Sequence, residues 1–472
     1  MQKSFIKELA GIVGRDNILS SRKDLLAYSY DSTARQEMPE VIVFPLSTAH
    51  VSQVVKAAHR DKVPVIARGA GTNLSGGTIP DRGGIVLELS RMNRILGIDL
   101  PNHRAVVQPG VVNLDLQNAL APFGFVFPPD PASQKTSTLG GNIGENAGGP
   151  HCLKHGVTSK YVCGMEIVLA DGEVINVGGS VEDNPGYDLR GLLIGSEGTL
   201  GIATSLILNI IPKPETSRTL LVIFETLENA SQTVSDIIGA GIIPGAMEFI
   251  DKTTCWAIEQ GISAGYPTDA EAVLLIELEG LTDSLDRQIR DISEICKKNE
   301  VRELRVAGSA AEQAVLWQGR RGAFGAIARI CPQFVVMDGT VPRNKMVPTM
   351  RRVSELAEKY HLTIALIAHA GDGNIHPLIL FDTTDPQGIV SAREAGDEIC
   401  ELCSSMGGTI TGEHGVGLEK MHAMLIQFSP ADLGAMRRVK EVFDPENVLN
   451  PGKLFPDEAG ESRQEKEEVA GL

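Results

Sequence analysis

Three glycine-rich segments crowd the stretch between residues 68 and 201: Arg68-Gly-Ala-Gly-Thr-Asn-Leu-Ser-Gly-Gly77, Thr138-Leu-Gly-Gly-Asn-Ile-Gly-Glu-Asn-Ala-Gly-Gly149 and Gly195-Ser-Glu-Gly-Thr-Leu-Gly201. Glycine has no side chain to hold a backbone amide away from a phosphate, and it accepts backbone angles that other residues avoid. Segments of this kind between short apolar strands either reverse the chain in a loop-rich domain or cradle a nucleotide. The first follows the apolar run Val63-Pro-Val-Ile-Ala67, where a pyrophosphate cradle belongs. It is not the Rossmann fingerprint, because Leu74 holds the place of the third glycine after Gly69 and Gly71. It is not a P-loop either, since no Gly-Lys-Ser/Thr follows.

A chain of 472 residues is too long for one ordinary core, so two or three domains are expected. Sixty acidic side chains against 43 basic ones give a formal net charge of -17, which argues against nucleic acid as a partner, because phosphate binding needs a basic face. Seven cysteines, few and odd in number, suggest a reducing compartment rather than a disulfide framework. The N-terminus has no continuous apolar core, so no secretory leader is expected. No apolar run approaches the ~20 residues that span a bilayer. A cytoplasmic location is expected, with any membrane contact peripheral and through partners.

Residues 4–30 read as a helical lead-in, assigned as a separate segment over 1–36. Val41-Ile-Val-Phe44, an amphipathic helix over 48–60, Val63–Ala67 and short strands at 85–89, 94–99 and 104–108 begin a domain placed at 37–215. Pro212-Lys-Pro214 punctuates its end. Beyond it the rhythm changes. Strand-like runs at 219–224, 246–250, 272–278, 303–306 and 333–338 alternate with helix-like runs near 226–240, 283–298, 310–330, 344–360 and 387–405. That pattern predicts an α+β domain with an antiparallel sheet over 216–410. A segment of loops and short helices follows over 411–456, and a charged tail over 457–472 is expected to be disordered.

The chemistry concentrates in the second half. Thr363-Ile-Ala-Leu-Ile-Ala-His369-Ala and Ile375-His376-Pro-Leu-Ile-Leu-Phe381 read as two strands, with Gly371-Asp-Gly-Asn374 as the turn between them. In a symmetric hairpin His369 sits opposite His376, and opposed residues of an antiparallel pair point to one face. Two imidazoles and one carboxylate make a divalent-metal set suited to Zn, Mn or Fe. Glu413, in Thr411-Gly-Glu-His-Gly415, can supply the carboxylate, or can be a surface loop residue. His414 beside it is then left over as a base. Cys400 and Cys403 fall in a helix-like run and read as packing residues. No other cluster offers four ligands for an iron–sulfur centre, so electrons must leave through another molecule.

Arg68-Gly-x-Gly-Thr72, Pro128-Pro-Asp-Pro131, Gly140-Gly-Asn-Ile-x-x-Asn-Ala-Gly-Gly149 and Gly195-Ser-Glu-Gly-Thr-Leu-Gly201 together resemble the FAD-binding domain of the vanillyl-alcohol-oxidase type. The resemblance implies FAD held across two small α+β subdomains, with an α+β cap domain beyond, and its pyrophosphate at Gly69–Gly77. Carried over residue by residue, the cofactor contacts are Arg68, Gly69, Ala70, Gly71, Thr72, Asn73, Pro129, Asp130, Gly140, Gly141, Asn142, Asn146, Ala147, Gly148, Gly149, Glu197, Gly201, Ile202 and Asn450. Asn450 lies near the flavin ring by resemblance; alternatively it only shapes the turn Leu449-Asn-Pro-Gly452. The first loop lacks the histidine that some relatives use to attach the flavin, so the FAD is expected to be non-covalent.

His369-Ala-Gly-Asp-Gly-Asn-x-His376, Gly412-Glu-His-Gly415 and Asp444-Pro-x-x-x-Leu-Asn-Pro-Gly-Lys453 are similar to the branch that oxidises D-2-hydroxy acids, the family of bacterial glycolate oxidase catalytic subunits and D-lactate dehydrogenases. Membership implies that His369, His376 and Glu413 hold a divalent metal, that His414 is the general base, and that Arg320 binds the substrate carboxylate. Arg is suited to that work because it meets a carboxylate with parallel hydrogen bonds. Neighbouring Arg321 reads as a solvated helix charge. Relatives that oxidise 2-hydroxyglutarate carry a lysine where Val336 stands here, which favours a monocarboxylate such as glycolate or D-lactate. The family's electron-transfer partners are a second flavin-domain subunit and an iron–sulfur subunit. Outside this class, a metal-dependent hydrolase built on His369, His376 and Glu413 is the alternative, and a flavin-binding subunit without catalysis is a third.

Overall fold

The computed structural model describes residues 1–181 and 185–456. The tail expected to be disordered lies outside the described residues. The chain divides into two compact units. The first comprises Met1–Gly148, Val157–Lys213 and the described residues from Glu413 onward; the second comprises Gly149–Gly156 and Pro214–Gly412.

The first unit carries two sheets. Ile18–Leu19 (β1), Val41–Val43 (β2), Val65–Arg68 (β3) and Ile85–Glu88 (β4) form one in the order β1-β2-β4-β3. β2 and β3 run parallel to β4, and the crossover between β2 and β3 is the helix Thr48–Asp61. Ser47 caps that helix by accepting from His50 N, and its apolar stripe, Val51, Val54, Val55 and Ala58, goes into the core. The lead-in is not continuously helical. Lys3–Val13 is a helix that buries Phe5, Leu9 and Val13, Gly14 ends it at φ +89°, and β1 then pairs with β2 before a short helix at Arg22–Leu26. A positive φ, which glycine adopts readily, turns the chain out of the helix there.

The second sheet has the order β5-β6-β10-β8-β9, made of Ile95–Asp99 (β5), Arg104–Val107 (β6), Val162–Val168 (β8), Val174–Gly178 (β9) and Ile202–Asn209 (β10), all antiparallel. Phe125–Val126 (β7) and Ile211–Pro212 (β11) make a separate two-stranded ribbon.

The second unit is built on one antiparallel sheet: Thr216–Phe224 (β12), Ala246–Asp251 (β13), Ala272–Gly280 (β14), Glu303–Val306 (β15), Phe334–Val336 (β16), Gly339–Thr340 (β17), Thr363–His369 (β18) and Asn374–Leu380 (β19). The order is β15-β12-β14-β13-β18-β19-β16, with β17 also on β19. The face bearing Leu221, Ala246, Ile250, Leu275, Ile367 and Leu378 packs on helices Lys252–Gly261, Ala310–Arg321 and Ala323–Ile330. The single helix expected over 310–330 is two. Gly322 separates them, at a point where an added Cβ would press on Ile262 Cδ1, just beyond the end of helix Lys252–Gly261. Cys400 and Cys403 are buried in helix Pro386–Ser405, as packing residues should be.

Candidate active site

The hairpin β18–β19 corrects the expected register. His369 pairs with Asn374, and His376 pairs with Ile367, so the histidines are not directly opposed. Asn374 belongs to the strand rather than the turn. Its side-chain amide donates to Asp338 Oδ1 (2.9 Å) and Thr340 Oγ1 (3.1 Å), and Thr340 is its partner on β17. The reversal is therefore shorter. Asp372 N and Gly373 N both donate to His369 O at 3.0 and 3.1 Å, with Gly373 at φ +81°. The histidines become diagonal neighbours on one face, since His369 and Ile367 are two residues apart on the same strand. Their rings still meet, with centroids 5.0 Å apart at 87°.

Directly opposite His369, on β13, stands Glu248. It is wholly buried. Its Oε1 lies 2.7 Å from His369 Nδ1, and its Oε2 accepts from Arg320 Nε at 2.8 Å with Nη2 at 2.5 Å. Arg320, at the end of helix Ala310–Arg321, is itself 6% exposed. Burial alone would raise the Glu248 carboxyl, but the charges of Arg320 and His369 outweigh it and hold the group below the usual carboxylate range.

Asp338, also wholly buried, makes a second polar cluster. Besides Asn374 it accepts from Thr411 Oγ1 at 2.6 Å and from Gly412 N at 2.9 Å, and its Oδ1 is 3.6 Å from His376 Nδ1. Each histidine of the pair thus has a carboxylate on its Nδ1 side. Glu413 and His414 follow Gly412 directly in the chain and open the last segment of the first unit; both are half-buried. Val336 pairs with Leu378, two residues beyond His376, and so shares the histidine face.

Within the first unit the glycine segments converge. Arg68 ends β3 in the buried region, 3.6 Å from Glu88, whose carboxyl burial pushes up to about 7 against the pull of Arg68. Ala70, Thr72 and Asn73 continue in the loop after Gly69, and Asn73 donates to Asp31 at 2.8 Å. A Cβ on Gly69 would strike Thr138 Oγ1. Thr138 is the N-cap of a helix, Leu139–Glu145, so Gly140, Gly141 and Asn142 are helical rather than looped. Asn146 ends it in the left-handed region at φ 51° and accepts from Ser159 N, and the Ala147 carbonyl accepts from Thr158. Pro129 receives Asn113 Nδ2 at 2.9 Å, with Asp130 next to it. Glu197 (φ 51°) donates its N–H to the Gly144 carbonyl at 2.8 Å, and its carboxylate accepts from Val416 N and Gly417 N at 2.7 and 2.8 Å. Gly201 and Ile202 lead from that turn into β10. Asn450 Nδ2 donates to the Gly77 and Glu197 carbonyls. Gly148 is the last residue of its segment, and Gly149 falls in the second unit.

These residues fit a dinucleotide. The Asn142 Nδ2 and Asn450 Oδ1 atoms are buried without a protein partner, and buried polar atoms are rarely left so. His369 fits a divalent cation, because a buried carboxylate hydrogen-bonded to Nδ1 is the usual partner of a metal-ligating histidine, and the His376 ring lies against it.

Residues 39–178 match the family model for an FAD binding domain, and residues 213–454 match that for the C-terminal domain of FAD linked oxidases. The chain belongs to the FAD-linked oxidases. It is 44% identical over 459 residues to glycolate oxidase subunit GlcD of Bacillus subtilis, covering 97% of this chain and 98% of that one. A D-lactate dehydrogenase from Anaerostipes hadrus is 35% identical over 426 residues, 88% of this chain and 89% of that one. Among solved structures, p-cresol methylhydroxylase with substrate bound superposes with a TM-score of 0.80 at 19% identity, covering 96% and 97% of the two chains. The α+β flavoprotein fold expected from the glycine segments is therefore the one found, and this FAD-linked oxidase is an oxidoreductase.

Sequence reasoning missed Glu248, Asp338, Thr138 and Glu145. Glu248 left a signal: it is a lone acid in the otherwise apolar run Ala246-Met-Glu-Phe-Ile250, and a charge in such a strand needs buried partners. Glu145, half-buried beside Ser75 and raised by desolvation and by the charge of Glu197, gave none, because a helical glutamate is ordinarily a surface residue.

Proposed function

We propose that this flavoprotein oxidises a small 2-hydroxy monocarboxylate, glycolate first and D-lactate second, to the 2-oxo acid. The observation that carries the proposal is the meeting of His369 and Arg320 on one buried carboxylate, Glu248, with the His376 ring against His369, in a chain of the FAD-linked oxidase family. The reaction removes a proton from the hydroxyl and a hydride from the α-carbon. In this scheme Arg320 receives the substrate carboxylate, His369, His376 and Glu413 hold a divalent cation, and His414 takes the hydroxyl proton. When bound, the flavin supplies the hydride acceptor and the cation supplies a Lewis acid for the hydroxyl and carboxylate oxygens. Glu413 and His414 enter the scheme on the motif Gly412-Glu-His-Gly415. The uncharged Val336 on the histidine face favours a monocarboxylate.

The relative from Bacillus subtilis is named as a subunit. We extend that to this chain: electrons leave its flavin for partner subunits, one of them iron–sulfur, in the cytoplasm or at the membrane surface. No helix among the described residues is long and apolar enough to cross a membrane. A hydrolase has no use for the FAD domain, and a non-catalytic subunit has no use for the buried His–carboxylate set.

The test is anaerobic addition of glycolate, D-lactate, L-lactate and D-2-hydroxyglutarate to the yellow protein. Bleaching by glycolate or D-lactate, and slower or no bleaching by the other two, supports the proposal. A flavin that none of them reduces removes it.

A further inference from the structure

The buried trio Arg320–Glu248–His369 has a role that neither flavin binding nor the general base accounts for. Its charges are out of water, with Glu248 wholly buried and Arg320 nearly so. A buried ion pair is poor value for stability, since well-packed apolar side chains of similar volume often serve as well or better. The arrangement is also divided atom by atom. Oε1 of Glu248 serves His369 Nδ1 at 2.7 Å, while Oε2 serves Arg320 through both Nε at 2.8 Å and Nη2 at 2.5 Å. The ladder enforces this, because Glu248 and His369 are directly paired residues of adjacent strands.

We infer that Glu248 is a positioning residue that aims the substrate-binding arginine and the metal-binding histidine together. The inference rests on the roles proposed above for Arg320 and His369. With Nδ1–H directed at Glu248, the His369 tautomer is fixed, and Nε2 is the nitrogen that would hold a cation. A carboxylate behind a ligating histidine also raises its basicity. With Nε and Nη2 held on one oxygen, the guanidinium plane is fixed, and Nη1 is the nitrogen that would take a substrate carboxylate. One side chain therefore sets two of the points that would grip a 2-hydroxy acid: the arginine at the carboxylate end and the cation ligand at the chelating end. Removing its charge should weaken both grips at once, whereas damage to the fold would weaken flavin binding as well.

The experiment uses the full-length, FAD-loaded protein and Glu248→Gln. Zinc affinity is measured by competition with a chromophoric chelator, and anaerobic flavin reduction is followed over a range of glycolate concentrations. Wild-type FAD content, zinc affinity lowered roughly 10- to 100-fold, and a clearly raised glycolate concentration for half-maximal reduction support the inference. Excess zinc should restore part of the reduction rate. If Glu248→Gln does not fold, Glu248→Gln/Arg320→Met removes both charges and should show the same loss of zinc affinity. Wild-type zinc affinity and wild-type glycolate saturation in Glu248→Gln overturn the inference while leaving the proposed function standing. A native protein that glycolate reduces but that binds no zinc, manganese or iron overturns the metal part of the proposed function, and this inference with it.

Discussion

The backbone carbonyl of Glu197 and the side-chain amide of Asn450, 253 residues apart, are joined by a hydrogen bond of 2.7 Å. The same amide reaches the Gly77 carbonyl at 2.8 Å, so three distant segments of the first unit are tied through one side chain. Asn450 also sits at φ 42°, a region that asparagine tolerates better than most residues. Asn450→Ala should leave two buried carbonyls unpaired, at about 1–3 kcal/mol each. Urea unfolding of the flavin-free protein should show that loss, and FAD titration should show weaker binding. An unchanged midpoint and unchanged FAD affinity would mean that the amide is replaceable by water.

His414→Ala should retain the flavin absorbance and lose reduction by glycolate, by about 10²- to 10⁴-fold if the imidazole is the general base. Stopped-flow reduction checks this. A variant reduced at the wild-type rate would take the base assignment away from His414.

Removing the divalent cation should stop turnover without removing the flavin. Protein dialysed against a strong chelator should keep its yellow spectrum, fail to bleach with glycolate, and recover on addition of zinc, manganese(II) or iron(II). Full activity in chelator-treated, metal-free protein would count against a chelated substrate.

Acid should reveal the Glu279 contacts in the second unit. His155 Nε2 lies 2.6 Å and Lys154 Nζ 3.0 Å from its Oε1. Burial raises this carboxyl, but those two bonds and charges overcome it and carry the group down to about 2. A depressed folded-state value stabilises the protein above the unfolded value, roughly 4.3, and that contribution is lost as pH falls from there through the folded value. The urea midpoint of the wild type should therefore fall between pH 5 and pH 3 by more than that of Glu279→Gln. Equal falls in both proteins would assign the acid sensitivity elsewhere.

Much of the second unit was legible because its central strands, Ala272–Gly280, Thr363–His369 and Asn374–Leu380, are largely apolar runs. Glu303–Val306 carries the predicted bounds, and the helices Thr282–Lys298 and Met346–Tyr360 stand within two residues of theirs. What was not legible came from tertiary partners. The hairpin register shifted because Asn374, a turn former by composition, is drawn into the ladder by Asp338 and Thr340. Leu139–Glu145 is helical despite its glycines because Thr138 caps it and Leu139 and Ile143 bury against the core. His369, His376 and Arg320 were named from motif and resemblance, yet the residue that joins two of them, Glu248, lies in a strand read only as an apolar run, more than 70 positions from either.

The central claim, that an α-carbon hydride of a 2-hydroxy acid is delivered to the flavin of this chain, is tested most directly by anaerobic stopped-flow reduction with glycolate and with glycolate deuterated at carbon 2. The oxidised flavin should bleach with a primary isotope effect of several-fold on the reduction rate. A flavin that stays oxidised with both would contradict it.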